Sequence, residues 1–174
     1  MVIIVFGLPG SGKTWFAKTL AARIKAVYIS TDQLRNSLIR DIGYTPEEKT
    51  AVYSEMLRRT QDLILRENAD VVLDGTFSQT ASRRLFRSAL ETDTPLYFVE
   101  ITADDELIRQ RLQHPREDSN AGVEVYEQLA ADWQPENDEH LVLRSGQDNL
   151  EDMLRQAMHH LNIIYDKNQN PCER

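Results

Sequence analysis

The eight residues Gly7-Leu8-Pro9-Gly10-Ser11-Gly12-Lys13-Thr14 narrow the folds open to this chain more than any other stretch. They follow the apolar run Val2 to Phe6 and precede a helical pattern. They fit G-x-x-x-x-G-K-[ST] in the strand–loop–helix setting that this pattern requires. Each part has a physical job. Glycine has no Cβ, so Gly7, Gly10 and Gly12 let the main chain wrap closely around an anion. Successive amides and the start of the following helix then present donors and positive dipole to phosphate oxygens. Lys13 supplies a point charge between the last two phosphates, and Thr14 a hydroxyl that can ligate Mg²⁺. The expected ligand is a nucleoside triphosphate with Mg²⁺, cradled by residues 7–14.

Further runs organise the rest of the chain. Val71-Val72-Leu73 and Leu96-Tyr97-Phe98-Val99 are apolar on successive residues, as strands covered on both faces are. Ala26 to Ile29 and Leu141 to Leu143 are weaker strand candidates. Thr45-Pro46-Glu47-Glu48 joins a capping residue, a proline at the first helical position and first-turn acids; it opens a helix reaching to about Glu67. From Asp148 onward, Leu150, Leu154, Ala157, Leu161 and Ile164 recur at helical spacing, a core-facing stripe. Strand alternating with helix implies right-handed crossovers, hence an α/β sandwich of about five parallel strands. The length of 174 residues suits one domain over 1–165, with a lid at about 109–124 and a polar tail over 166–174.

Composition excludes several function classes. With 28 acidic and 20 basic side chains the net charge is -8, which disfavours a protein that coats nucleic acid or an anionic membrane. No apolar run approaches the roughly 20 residues that cross a bilayer. Val2 to Phe6 is too short for the apolar region of a signal peptide, and no basic residue precedes it. The one cysteine, Cys172, excludes an internal disulfide framework and a cysteine-rich zinc site. His114, His140, His159 and His160 make no metal-binding pattern. The chain is expected to be cytoplasmic, with no membrane partner.

The loop alone does not separate the many proteins that bind triphosphates. No Asn-Lys-x-Asp segment is present to read guanine. At the next acidic strand end, Asp74 is a suitable carboxylate to hold a metal-bound water behind Thr14. It is followed by Gly75 and not by a glutamate that could activate water, which disfavours a motor-type ATPase. Ser30-Thr31-Asp32-Gln33-Leu34-Arg35 lies where a strand ends and a helix starts. Thr31 or Asp32 can cap that helix. Asp32 also falls where an acceptor hydroxyl would sit, and there it would orient and deprotonate the attacking oxygen. Arg35, one turn on, would hold the acceptor or the transferred group. Arg109 to Arg116, followed by Glu117 to Gly122, reads either as a solvated helix end or as a lid that excludes water from the donor. Arg111 and Arg116 are the arginines assigned to the reaction, ahead of Arg109.

These segments, in this order, resemble the small P-loop kinases catalogued as ATPase-type or predicted kinases. That group is similar to polynucleotide 5′-hydroxyl kinases, zeta toxins, chloramphenicol phosphotransferase and gluconate kinase. The resemblance runs from Val2 to about Leu161 and implies the P-loop NTPase three-layer sandwich with strand order 2-3-1-4-5. It also implies ATP as donor, Asp32 as base for a hydroxyl acceptor, and an adenine bordered by Ser145 to Asp148. His114, Trp15 and Arg144 depart from the group's usual residues without touching Lys13, Thr14, Asp32 or Asp74.

The expected partner is a small hydroxylated substrate, with a 5′-hydroxyl nucleic-acid end as the other acceptor class. The latter needs a basic groove, for which Arg83, Arg84 and Arg87 on one helix are the candidates; a solvated face is the plainer reading. Thr76 and Phe77 are acceptor-side candidates, and Ser78, Thr80 and Ser82 read as capping residues. A nucleotide-binding regulatory module with little transfer activity is the alternative function.

Overall fold

A computed structural model describes residues 1–39, 45–90, 94–113 and 122–162. Five strands, β1 (Val2–Phe6), β2 (Val27–Ser30), β3 (Val71–Gly75), β4 (Leu96–Thr102) and β5 (Leu141–Arg144), form one sheet in the order β2-β3-β1-β4-β5. Every pairing is parallel. Seven helices are described: α1 (Lys13–Ile24), α2 (Thr31–Leu38), α3 (Pro46–Glu67), α4 (Thr80–Leu90), α5 (Asp105–Leu112), α6 (Val123–Ala131) and α7 (Leu150–His160). The expected strand order is the observed one.

Side chains alternate across a strand, so a fully buried strand feeds two cores. Ile3 and Val5 of β1 join Phe16, Leu20, Leu154 and Met158 under α1 and α7. Val2, Ile4 and Phe6 pack on the other face with Leu34, Met56 and Phe86 from α2, α3 and α4. The continuous apolar runs are thus the middle layer of three.

The local helix signals hold. Thr45 caps α3, its hydroxyl accepting from the Glu48 amide at 3.3 Å, with Pro46 as the first helical residue. In α7 the buried side chains are Met153, Leu154, Ala157 and Met158, and the helix ends at His160, with Leu161 buried just beyond. Ile164 and the 166–174 tail lie outside the described residues. The start of α4 departs from expectation. Its Thr80 amide is bound by the side chain of Gln134, a residue far along the chain, at 2.8 Å.

All five strands run the same way, so their C-terminal ends share one edge of the sheet. From β1 the chain crosses to β2 on one side, while β4 lies on the other. A crevice opens at such a reversal, and the loop after β1 sits in it.

Candidate active site

The phosphate loop is shaped by glycine and by close packing. Gly12 has φ of 95° and caps the start of α1, and a Cβ there would come within 2.9 Å of the Ser145 hydroxyl. No side chain caps that helix start, and no acid occupies its first turn. Its amides and dipole are therefore left for an anion. Lys13 bends back over the loop, with Nζ 3.4 Å from the Leu8 carbonyl oxygen.

Asp74 is the penultimate residue of β3, paired in register with Val5 of β1 and Ser30 of β2. It is buried. Oδ2 accepts a hydrogen bond from the Tyr28 hydroxyl at 2.7 Å. Oδ1 is buried with no hydrogen-bond partner among the described residues. An unsatisfied buried carboxylate oxygen costs about 1–3 kcal/mol or more, so a water or ion is the usual occupant. The donor set of Thr14 hydroxyl and Asp74 carboxylate is all oxygen, which suits Mg²⁺ bound partly through water. The residues fit that ion.

Tyr28 is a residue that sequence reading missed. Burial, and then the charge of Asp74, push its phenol well above the usual tyrosine value, so it remains a donor at any ordinary pH. Tyr28→Phe removes one of the bonds that orient Asp74. We expect the Mg²⁺ concentration supporting half of full ATP affinity to rise roughly tenfold, about the size of one hydrogen bond to a charged group. Affinity for ATP without metal should stay unchanged. Titration calorimetry at stepped Mg²⁺ concentrations checks both statements.

Asp32 occupies the first turn of α2, half-exposed, 3.6 Å from a guanidinium nitrogen of Arg35. The cap of α2 is Ser30, whose hydroxyl accepts from the Gln33 amide at 3.1 Å. The capping role considered for Thr31 or Asp32 is therefore filled one residue earlier. The start of α2 lies hard against the end of β3: a Cβ on Gly75 would meet the Thr31 methyl at 2.8 Å. That contact places the Asp32 and Asp74 backbones at adjacent strand ends.

Arg111 enters the site from α5. Its guanidinium donates to the Gly10 and Ser11 carbonyl oxygens at 3.2 Å each, to the Ser145 hydroxyl at 3.1 Å and to the Gly146 carbonyl oxygen at 2.6 Å. It thus ties the phosphate loop to the turn after β5. Arg109 points elsewhere, bracing α5 to α6 through Asp105 and Glu127 at 2.8 and 2.7 Å. Arg116, His114 and the middle of the expected lid, residues 114–121, lie outside the described residues.

Three expectations on the acceptor side change. Phe77 is fully buried, packed on Tyr53 and Phe86 with ring centroids 4.7 and 5.3 Å away. It is a core residue and not an acceptor contact. Its φ of 44° is strained for a side chain of this size. The conformation is held at both ends: the amide donates to the Tyr53 hydroxyl at 2.9 Å, and the carbonyl accepts from Arg83 at 2.6 Å. Arg83 is neither solvated nor part of a basic groove. It is 1% exposed, and binds Glu136 at 2.8 Å and the Gln134 and Pro135 carbonyl oxygens at 2.6 and 3.0 Å. Arg87 lies against the Phe98 ring and pairs with Asp138 at 3.3 Å. The reason is long-range: the segment after α6 folds back over α4 and supplies the acceptors. Ser78 is buried too, and its hydroxyl is 3.3 Å from Lys49 Nζ.

A profile of the AAA domain family matches residues 2–135. The chain belongs to this family. An uncharacterised protein of Mycobacterium tuberculosis is 31% identical to it over 148 residues, covering 75% of this chain and 29% of that protein. This AAA-domain chain therefore spans less than a third of the curated relatives it first matches. An unliganded sugar kinase from Janibacter sp. has the same fold, with a TM-score of 0.72 at 21% identity over 93% of this chain and 94% of that one. A gluconokinase from Sinorhizobium meliloti gives a TM-score of 0.71 at 19% identity, over 92% and 91% of the two chains. No described helix is long and apolar enough to cross a membrane.

Proposed function

We propose that this chain is an ATP-dependent phosphotransferase that moves the γ-phosphoryl group to a hydroxyl of a small molecule. The observation that carries this reading is the pair of carboxylates at neighbouring strand ends. Asp74 is buried, anchored through one oxygen and left with the other unpartnered among the described residues, as a metal-side carboxylate would be. Asp32 is half-exposed, beside a guanidinium, as a group meeting an incoming acceptor would be. The family match, together with the fold shared with a sugar kinase and a gluconokinase, supports the same reaction class.

The proposed chemistry needs no covalent enzyme intermediate. The loop amides and Lys13 grip the triphosphate, and Arg111 preserves the loop's shape from behind. Mg²⁺, when bound near Thr14 and Asp74, supplies charge neutralisation at the phosphates. Asp32 orients the acceptor hydroxyl and takes its proton as the new oxygen–phosphorus bond forms; the bond to the β-phosphate oxygen breaks and ADP departs. Arg35 sits beside the charge that develops. Positioning and electrostatics supply most of the rate in such transfers. Arg116 is proposed as a lid arginine on its place in the sequence alone.

A nucleic-acid acceptor loses support, because two of the three arginines proposed for its groove are engaged with Glu136, Asp138 and Phe98. The test is transfer of label from γ-labelled ATP to a panel of small hydroxylated metabolites and 5′-hydroxyl oligonucleotides, with Asp32→Asn as the blank. Transfer to a small molecule that disappears in the blank is the expected result. ATP that is bound but passed to no acceptor would favour the regulatory alternative.

A further inference from the structure

We propose that the hydroxyl acceptor carries an anionic group, received between Lys49 of α3 and Arg35 of α2. The inference rests on the phosphotransferase reading, since it concerns the acceptor side of the same cleft. Helices α2 and α3 pack against each other and cover the same face of the sheet. Arg35 lies one turn beyond Asp32. Lys49 comes from the facing helix, and its Nζ reaches the Ser78 hydroxyl at 3.3 Å, just past the end of β3. Tyr53, four residues on and hence on the same face of α3, reaches the Phe77 amide at 2.9 Å. That face of α3 is therefore aimed at the strand end where Asp74 and Thr76 lie.

The placement of Lys49 does not serve its own helix. It sits within the first turns of α3, where the helix dipole opposes a cation and where Glu47 and Glu48 are the favourable residues. It is half-buried, and among the described residues its ammonium finds a neutral hydroxyl as its hydrogen-bond partner. Burial first, and then the like charge of Arg35, push its pKa below the ordinary lysine value; Asp132 pulls the other way without restoring it. Arg35 already pairs with Asp32 at 3.6 Å, whereas Lys49 makes no ion pair among the described residues, and a partly desolvated cation is relieved when an anion arrives. A carboxylate, phosphate or sulfate on the acceptor meets that need.

The experiment uses matched acceptor pairs, glycerol with glycerol 3-phosphate and glucose with gluconate, and follows label transferred from ATP. Transfer should be confined to, or strongly favour, the charged member. In Lys49→Gln the KM for that acceptor should rise tenfold or more with the KM for ATP unchanged, and Lys49→Arg should recover most of the loss. A second arm needs no acceptor. With Mg·ADP bound, acetylation of Lys49 by acetic anhydride, read by peptide mass spectrometry, should slow in millimolar sulfate, and Arg35→Gln should abolish that protection. Equal transfer to neutral and charged members, or a Lys49→Gln enzyme with unchanged acceptor KM, overturns the anionic subsite and leaves the phosphotransferase reading standing. Sulfate protection with no transfer to any acceptor sinks the phosphotransferase reading and supports the anion site. Neither protection nor transfer overturns both.

Discussion

Asp32→Asn is expected to lower kcat by about 10²–10⁴-fold, the range for losing a positioned general base. The dissociation constant for Mg·ATP should stay at the wild-type value. The two quantities separate because Asp32 projects from the first turn of α2, whereas the triphosphate would be held by the loop after β1 and the start of α1. The fold should survive, since the cap of α2 is Ser30 and Asp32 is half-exposed. Asparagine keeps the side-chain shape but cannot accept the proton as a carboxylate does. Lys13→Ala should behave differently, weakening nucleotide binding and transfer together. Single-turnover kinetics beside calorimetric ATP titrations distinguish the two patterns. Near wild-type turnover in Asp32→Asn would remove it from the role of base.

Arg83→Met is expected to be the most destabilising single change on the acceptor side, by about 3–5 kcal/mol. That range applies when one member of a buried ion pair is removed and the other is left charged. The substitution keeps much of the side-chain volume, so the loss is electrostatic and hydrogen-bonded. It leaves Glu136 with the more distant Arg87, at 3.8 Å, as its cation and strips the Phe77, Gln134 and Pro135 carbonyl oxygens of a donor. Burial pushes the Glu136 pKa up, but the Asp138 amide and the Arg83 guanidinium outweigh it, and the net value lies below the ordinary 4.5. A carboxylate with a lowered pKa stabilises the fold above its unfolded value and loses that contribution as pH falls through its folded value. Wild-type stability should therefore decline below about pH 4.5 partly through this group, and Arg83→Met should show a shallower decline. Adding Glu136→Gln should recover only part of the loss, because the three carbonyl oxygens remain unpaired. Denaturant titrations at two pH values read all three expectations.

Legibility from sequence followed the range of the interactions. The phosphate loop, the five strands and the Thr45–Pro46 helix start are encoded by neighbours in the chain, and all stand where the residues place them. Strand order came through the family resemblance, since apolar runs alone leave several orders open. The features that escaped are those whose partners are distant. Arg83 and Glu136 are 53 positions apart, Tyr28 and Asp74 are 46, and Lys49 and Ser78 are 29. Within its own helix Arg83 looks like any exposed arginine; only the return of the segment after α6 makes it a buried clamp. Arg111 shows the same limit: the sequence suggests a lid arginine for the reaction, whereas its bonds to the Gly10, Ser11 and Gly146 carbonyl oxygens give it a loop-holding place that no spacing rule announces.

A calorimetric titration of the chain with ATP, run with and without Mg²⁺, asks whether residues 7–14 grip a triphosphate. The expected result is a saturable heat that strengthens with the metal and is lost in Lys13→Ala. A wild-type chain that gives no heat with ATP in the presence of Mg²⁺ would contradict it.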